Sequence, residues 1–129
     1  MSSAPWCHLD APDLDRLDLA SVLVCEVLDT PYLVGSCLER PDYRDVDIRV
    51  VLDDERFAEL FTRPYPHHDP LRHLIQAAIS EHYVKATGLR IDFQIQQRSW
   101  ANEKYPSAGG RHPLGIYPHF GRDDEDDRG

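Results

Sequence analysis

The apolar run Tyr32-Leu33-Val34 stops at Gly35-Ser36, and after a polar turn containing Pro41-Asp42-Tyr43 a second apolar run follows, Asp45-Val46-Asp47-Ile48-Arg49-Val50-Val51-Leu52. This pattern constrains the fold more than any other part of the chain. Two short apolar runs separated by turn residues read as neighbouring strands. Alternation along the second places Asp45 and Asp47 on one face. Two carboxylates on one face repel each other unless a cation sits between them. Mg²⁺ suits that place, since it takes hard oxygen ligands and is held by one or two carboxylates plus substrate phosphates. The Gly35-Ser36 turn upstream offers backbone N–H groups and a hydroxyl to a phosphate. A third strand is expected over about 89–96, with Asp92 as the lone acid inside it, where a carboxylate is costly without a partner.

The elements around these strands can be read from spacing. A helix is expected over about 13–28, with Leu14, Leu17, Leu19, Val22, Leu23 and Val27 at broadly helical intervals and Asp13 and Asp15 suiting its first turn. Residues 1–12 contain Pro5 and Pro12 and read as an irregular arm that Trp6 could dock. Asp53-Asp54 opens a short helix over about 54–61. A Pro-rich loop, Arg63 to Pro70, leads to Asp69 as cap and Pro70 as first residue of a helix running to about Thr87. Its buried stripe is expected from Leu71, Leu74, Ile75, Ala78, Ile79 and Val84, with Gly88 as terminator. Beyond Gln97 no periodicity is visible. The order α-β-β-α-α-β predicts a small α/β (α+β) sandwich with a mixed sheet packed against helices. The expected organisation is one domain over 1–122, with a core at about 13–97 and an extension at 98–122, then an acidic, disordered tail at 123–129.

Composition narrows the function classes. The formal net charge is −9 and the pI about 5.1, which argues against extensive nucleic-acid binding. No stretch approaches a membrane span, and no basic segment precedes an apolar one at the N-terminus, so a cytoplasmic protein without membrane contact is expected. Cys7, Cys25 and Cys37 form no C-x-x-C pair and indicate neither a zinc ribbon nor a disulfide framework. Cys25 is expected in the core, and Cys37, beside the turn, is expected to be accessible. The seven histidines show no i, i+4 pair of the kind that holds zinc on a helix, and read as surface residues.

Gly35-Ser36, then Asp45-x-Asp47, then the distant strand residue Asp92 resembles the DNA polymerase β-like nucleotidyltransferase superfamily, and in particular its small, single-domain minimal members. The resemblance spans about residues 31–97. It implies that Asp45, Asp47 and Asp92 are the catalytic, metal-binding carboxylates for Mg²⁺ or Mn²⁺, with Asp92 as a shared ligand or general base. It also implies that Gly35, Ser36, Arg40 and Arg44 contact the nucleotide. The expected substrate is an NTP, ATP first, and the expected reaction moves an NMP group to a hydroxyl of a protein, an RNA end or a small molecule. The loop departs from the family pattern: Gly-Ser continues as Cys37-Leu38-Glu39-Arg40, without the usual early arginine and with an added negative charge. That departure motivates the alternative expectation, a catalytically degenerate member that binds a nucleotide or a partner, as in a toxin–antitoxin-type pair. The 99–120 segment would serve there as an interface to a protein partner or a second copy. Arg49 shares a strand face with Asp47 and could pair with a carboxylate or touch phosphate. Gln94 and Gln96 share a face with Asp92 and could line the cleft. Lys85 and Arg90 flank Asp92 and could reach triphosphate or acceptor.

Overall fold

The computed structural model describes residues 7–62, 68–104 and 110–115, the side chain of Lys104 excepted. The acidic tail, the docking of Trp6, most of the Pro-rich loop and the 105–109 and 116–122 parts of the extension lie outside the described residues. The elements are α1 (Ala11–Val27), β1 (Pro31–Val34), a 3₁₀ turn (Ser36–Leu38), β2 (Val46–Leu52), α2 (Asp54–Leu60), α3 (Pro70–Thr87), β3 (Ile91–Gln97), α4 (Arg98–Lys104) and β4 (His112–Pro113). They form a four-stranded mixed sheet, in the order β3-β2-β1-β4, with helices packed against it. The strand β2 runs antiparallel to β1 and parallel to β3, and β4 pairs antiparallel with β1.

The local reasons for these elements are visible. Asp53 and Asp69 cap α2 and α3: the Asp53 side chain accepts from the Arg56 amide, and Asp69 accepts from those of Leu71 and Arg72. Such caps satisfy N–H groups that a helix leaves without partners. Gly88 ends α3 at φ 73°, the left-handed conformation glycine adopts without penalty. Arg56 reaches from α2 to the Leu28 and Val27 carbonyls at the end of α1, placing a cation where the helix dipole is negative.

The core lies between the sheet and the pair α1 and α3. Leu33, Ile48, Val50, Phe93 and Ile95 meet Leu17, Ala20, Val24 and Tyr83 there. Tyr83 is fully buried, and its hydroxyl shares a 2.8 Å hydrogen bond with Ser21 of α1. Burial first of all raises the pKa of that phenol. His82 Nε2 donates to the Ala20 carbonyl at 2.8 Å, a second polar tie between the two helices. At the edge strand β3, the Ile95 N–H donates to Gln76 Oε1 at 2.7 Å and the Ile95 carbonyl accepts from Arg72 Nη1 at 3.0 Å. Both groups come from α3, which thereby covers part of an edge that would otherwise invite another strand.

Several expectations are corrected. The first helix begins at Ala11, and Pro12 sits in its first turn, where its missing N–H costs nothing. Leu19, Leu23 and Val27 are exposed, at 55, 59 and 64 %, and the buried face of α1 runs through Leu17, Ala20, Ser21, Val22 and Val24. In α3, Leu71, Leu74, Ala78 and Val84 are exposed while Arg72 and Tyr83 are buried. Large polar residues occupy the inner face because each has a partner there, which hydropathy spacing does not register. Cys37 is fully buried, and desolvation pushes its thiol up to about 12. Cys25 is half-buried, 3.8 Å from the Thr30 hydroxyl. The segment after Gln97 folds as α4 and, at its far end, as β4. The Leu114 amide binds the Pro31 carbonyl at 2.8 Å, and the Gly115 amide binds the Asp18 carboxylate at 3.1 Å.

Candidate functional site

The polar face of the sheet lies opposite the core. Asp47, Arg49 and Val51 of β2 stand in register with Asp92, Gln94 and Gln96 of β3. Residues in register on parallel strands share a face, about 4.8 Å apart. Asp47 and Asp92 are therefore immediate neighbours. Asp47 also stands opposite Val34, the last residue of β1, which brings Gly35 against it.

That contact is close. Gly35 has φ 82° and ψ −156°, a region open to glycine almost alone, and a Cβ built there collides with Asp47 Oδ2. Gly35 thus does two things: it turns the chain out of β1 and lets backbone approach the carboxylate. Ser36 then opens the 3₁₀ turn, its carbonyl accepting from the Glu39 and Arg40 amides. Asp45 lies just outside β2, next to the acid pair, and is ion-paired with Arg90 across 3.4 Å.

Arg49 decides the electrostatics. Its side chain is 8 % exposed; Nη2 lies 3.3 Å from Asp92 Oδ2, and Nη1 donates to the Asp92 and Ile48 carbonyls at 2.7 and 3.0 Å. Arg49 Nε is buried and has no hydrogen-bond partner among the described residues. Asp47 makes no ion pair among the described residues. Its pKa is raised above 3.8, chiefly by desolvation; Arg49 opposes the shift, while the charges of Asp92 and Asp45 and a hydrogen bond with Asp92 add to it. Two neighbouring acids sharing one counter-cation leave one carboxylate short of compensation, and Asp47 is that one.

The remaining expected site residues spread around this centre. Arg40 and Arg44 are exposed, and Arg40 is 3.7 Å from the Asp42 carboxylate. Lys85 pairs with Glu81 on the surface of α3 at 4.0 Å. Gln94 and Gln96 continue the polar row from Asp92. At the far end of that row a cleft is bounded by Phe57, Arg72 and Trp100, none of which the sequence reading placed near the acids. Trp100 lies on α4, whose seven residues are too few for a helical period to show.

Among the described residues, no three His, Cys, Asp or Glu side chains form a group arranged to hold a metal. The donor chemistry nevertheless suits one divalent ion. Asp47 makes no ion pair among the described residues, and the Asp45–Arg90 pair is exposed, of a kind worth at most about 1 kcal/mol. Asp92 is a different case, because its Oδ2 is engaged by the buried Arg49. The chain matches no protein-family model, no curated protein and no solved structure. Among the described residues, no helix is long and apolar enough to cross a membrane.

Proposed function

We propose that the polar face of this sheet is the site of a metal-dependent nucleotidyltransferase that moves an NMP group from an NTP, ATP first, to a hydroxyl acceptor. The observation that carries this reading is the Asp47 carboxylate, only partly compensated by Arg49, packed against Gly35 with Asp92 in register beside it. Asp45 and Asp47 would hold Mg²⁺ or Mn²⁺. When bound, the ion supplies charge neutralisation for the triphosphate and for the departing pyrophosphate.

The residues of the chain do the rest. The backbone at Gly35 and the Ser36 hydroxyl receive a phosphate, and Arg40 and Arg44 turn from solvent toward the triphosphate. Asp92, 45 % exposed at its side chain, takes the proton of the acceptor hydroxyl. The acceptor oxygen then bonds to the α-phosphorus as the bond to the bridging oxygen breaks and pyrophosphate leaves. Arg49 holds Asp92 in place for that proton transfer.

The same Arg49–Asp92 pair supports a second reading: a nucleotide- or partner-binding module that has exchanged an acid-site cation for an arginine and no longer catalyses. Thermal unfolding with each NTP, with and without Mg²⁺, tests the first reading. Wild type should be stabilised by Mg²⁺–NTP, by about 2.7 kcal/mol at one hundred times the dissociation constant, and an Asp45→Asn/Asp47→Asn variant should not. Pyrophosphate release with added acceptors then divides the two. No Mg²⁺-dependent shift with any NTP would sink the metal–nucleotide reading.

A further inference from the structure

Beyond the acid pair, the polar row on β3 ends in a cavity of about 150 Å³, lined by Phe57, Arg72, Gln94, Gln96, Gln97 and Trp100. A cavity of that volume takes in one aromatic ring of a base. Its walls combine an indole with a guanidinium whose Nη1 is fixed on the Gln76 side chain and the Ile95 carbonyl, at 3.1 and 3.0 Å. Indole and guanidinium planes are the surfaces on which bases stack.

The amides are oriented from the acid outward. Gln94 Nε2 donates to Asp92 Oδ1 at 3.5 Å, and Gln96 Nε2 donates to Gln94 Oε1 at 3.4 Å. The carboxylate oxygen accepts, so Asp92 faces the Nε2 end of the Gln94 amide, and Gln94 faces that of Gln96 in turn. At the end of the row Gln96 retains Oε1 and its second Nε2 hydrogen, an acceptor beside a donor. Every nucleobase carries an edge of matching kind. Gln96 is 5 % exposed, so a bond made there is made away from water. Four residue steps of strand lead from Asp92 to Gln96, about 13 Å, a span that a nucleotide laid along β3 bridges.

We propose that this cavity is a nucleobase site, with Trp100 and Arg72 stacking on the base and Gln96 binding its edge, while the triphosphate lies toward Asp47. The assignment rests on the nucleotidyltransferase reading for the placement of the phosphates, but the base site binds a nucleoside on its own. Calorimetry with the four ribonucleosides, the four NTPs and tripolyphosphate, each with and without Mg²⁺, tests it on the full chain. At least one nucleoside should bind without Mg²⁺, and its NTP should bind better than tripolyphosphate. Gln96→Leu should weaken that nucleoside about tenfold and leave Mg²⁺–tripolyphosphate unchanged. Trp100→Ala should weaken it about five- to a hundredfold, and Trp100→Phe should restore most of the loss. A melting curve for each variant verifies the fold, and the Trp100 pair carries the test if Gln96→Leu is unfolded. Nucleoside binding with no Mg²⁺ effect on any NTP would uphold the base site and remove the metal reading. NTPs that bind no better than tripolyphosphate, with no nucleoside bound, would overturn the base site and leave the metal reading standing.

Discussion

Replacing Asp47 with asparagine should stabilise the protein. Most substitutions at half-buried positions destabilise, so the sign is diagnostic. Asn has the shape of Asp and keeps the contact with Gly35, but it removes one of two carboxylates borne in register on strands about 4.8 Å apart. Coulomb repulsion at that separation is about 0.9 kcal/mol at the dielectric of water and about 3.5 kcal/mol at an effective dielectric of 20. Asp47 is partly solvated and Arg49 attracts it, so the net gain lies near the lower figure, about 1 kcal/mol, or about 4 °C in Tm. The sign with pH follows from linkage. The folded pKa of Asp47 is raised above 3.8, so the native state holds its proton more tightly than the unfolded chain does. Wild-type stability therefore falls as pH rises from about 3.8 through the raised value, and the asparagine variant lacks that loss. Urea unfolding of both proteins from pH 3.5 to pH 8 measures the difference. It should be near zero at the acid end, grow through the interval and level off. A variant less stable than wild type at pH 7, or a difference that does not change with pH, would refute the electrostatic account of this site.

The other expectations concern the neighbours. Arg49→Met should cost about 2 kcal/mol in urea unfolding, since it strands Asp92 beside Asp47, and adding Asp47→Asn should recover part of the loss in a double-mutant cycle. Gly35→Ala should lose about 1–3 kcal/mol by the same assay, from its φ of 82° and the collision with Asp47, and should abolish any Mg²⁺–NTP shift. Leu17→Ala should cost about 2–5 kcal/mol and Leu23→Ala, three-fifths exposed, no more than about 0.5 kcal/mol. Iodoacetamide at pH 8 should leave Cys37 unmodified in the folded protein and label it on unfolding, because burial both covers the thiol and raises its pKa to about 12.

What the sequence reveals about this fold follows from how local each signal is. The limits of α3 were legible because Asp69, Pro70 and Gly88 act on their own backbone. The strands were legible because alternation is a two-residue property, and the spacing of Gly35, Asp47 and Asp92 already suggested a meeting. The inner faces of α1 and α3 were not legible. Tyr83 and Ser21 are buried through each other, and Arg72 is buried through Ile95 and Gln76, all partners distant in the chain. Leu19, Leu23 and Leu74 satisfy helical spacing as well as the residues that are buried, and only tertiary contact separates the two sets. The helix carrying Trp100 escaped for a related reason. Its start is fixed in part by Asp54, whose carboxylate accepts from the Ser99 amide at 3.0 Å across 45 positions of sequence.

Arg49 brings the two functional readings to one test. A guanidinium beside Asp92 does the electrostatic work of a monovalent cation, but it cannot leave the site as an ion can. If the chain catalyses, Arg49 and one divalent ion divide the three acids between them, Arg49 serving Asp92 and the ion serving Asp45 and Asp47. If it has lost catalysis, Arg49 is the replacement that made the loss tolerable, since it offsets part of the repulsion that otherwise demands a metal. Arg49→Gln separates these histories. In a catalyst the substitution releases Asp92 as a further ligand, so Mn²⁺ binding measured by paramagnetic resonance should rise from one ion to two in the presence of NTP. The rate should fall at the same time, because Asp92 no longer acts as base. In a degenerate binder wild type should hold no ion and the variant at most one, with no turnover in either. An unchanged single ion in both proteins would mean that Arg49 does not withhold Asp92, and the division of the acids argued above would have to be abandoned.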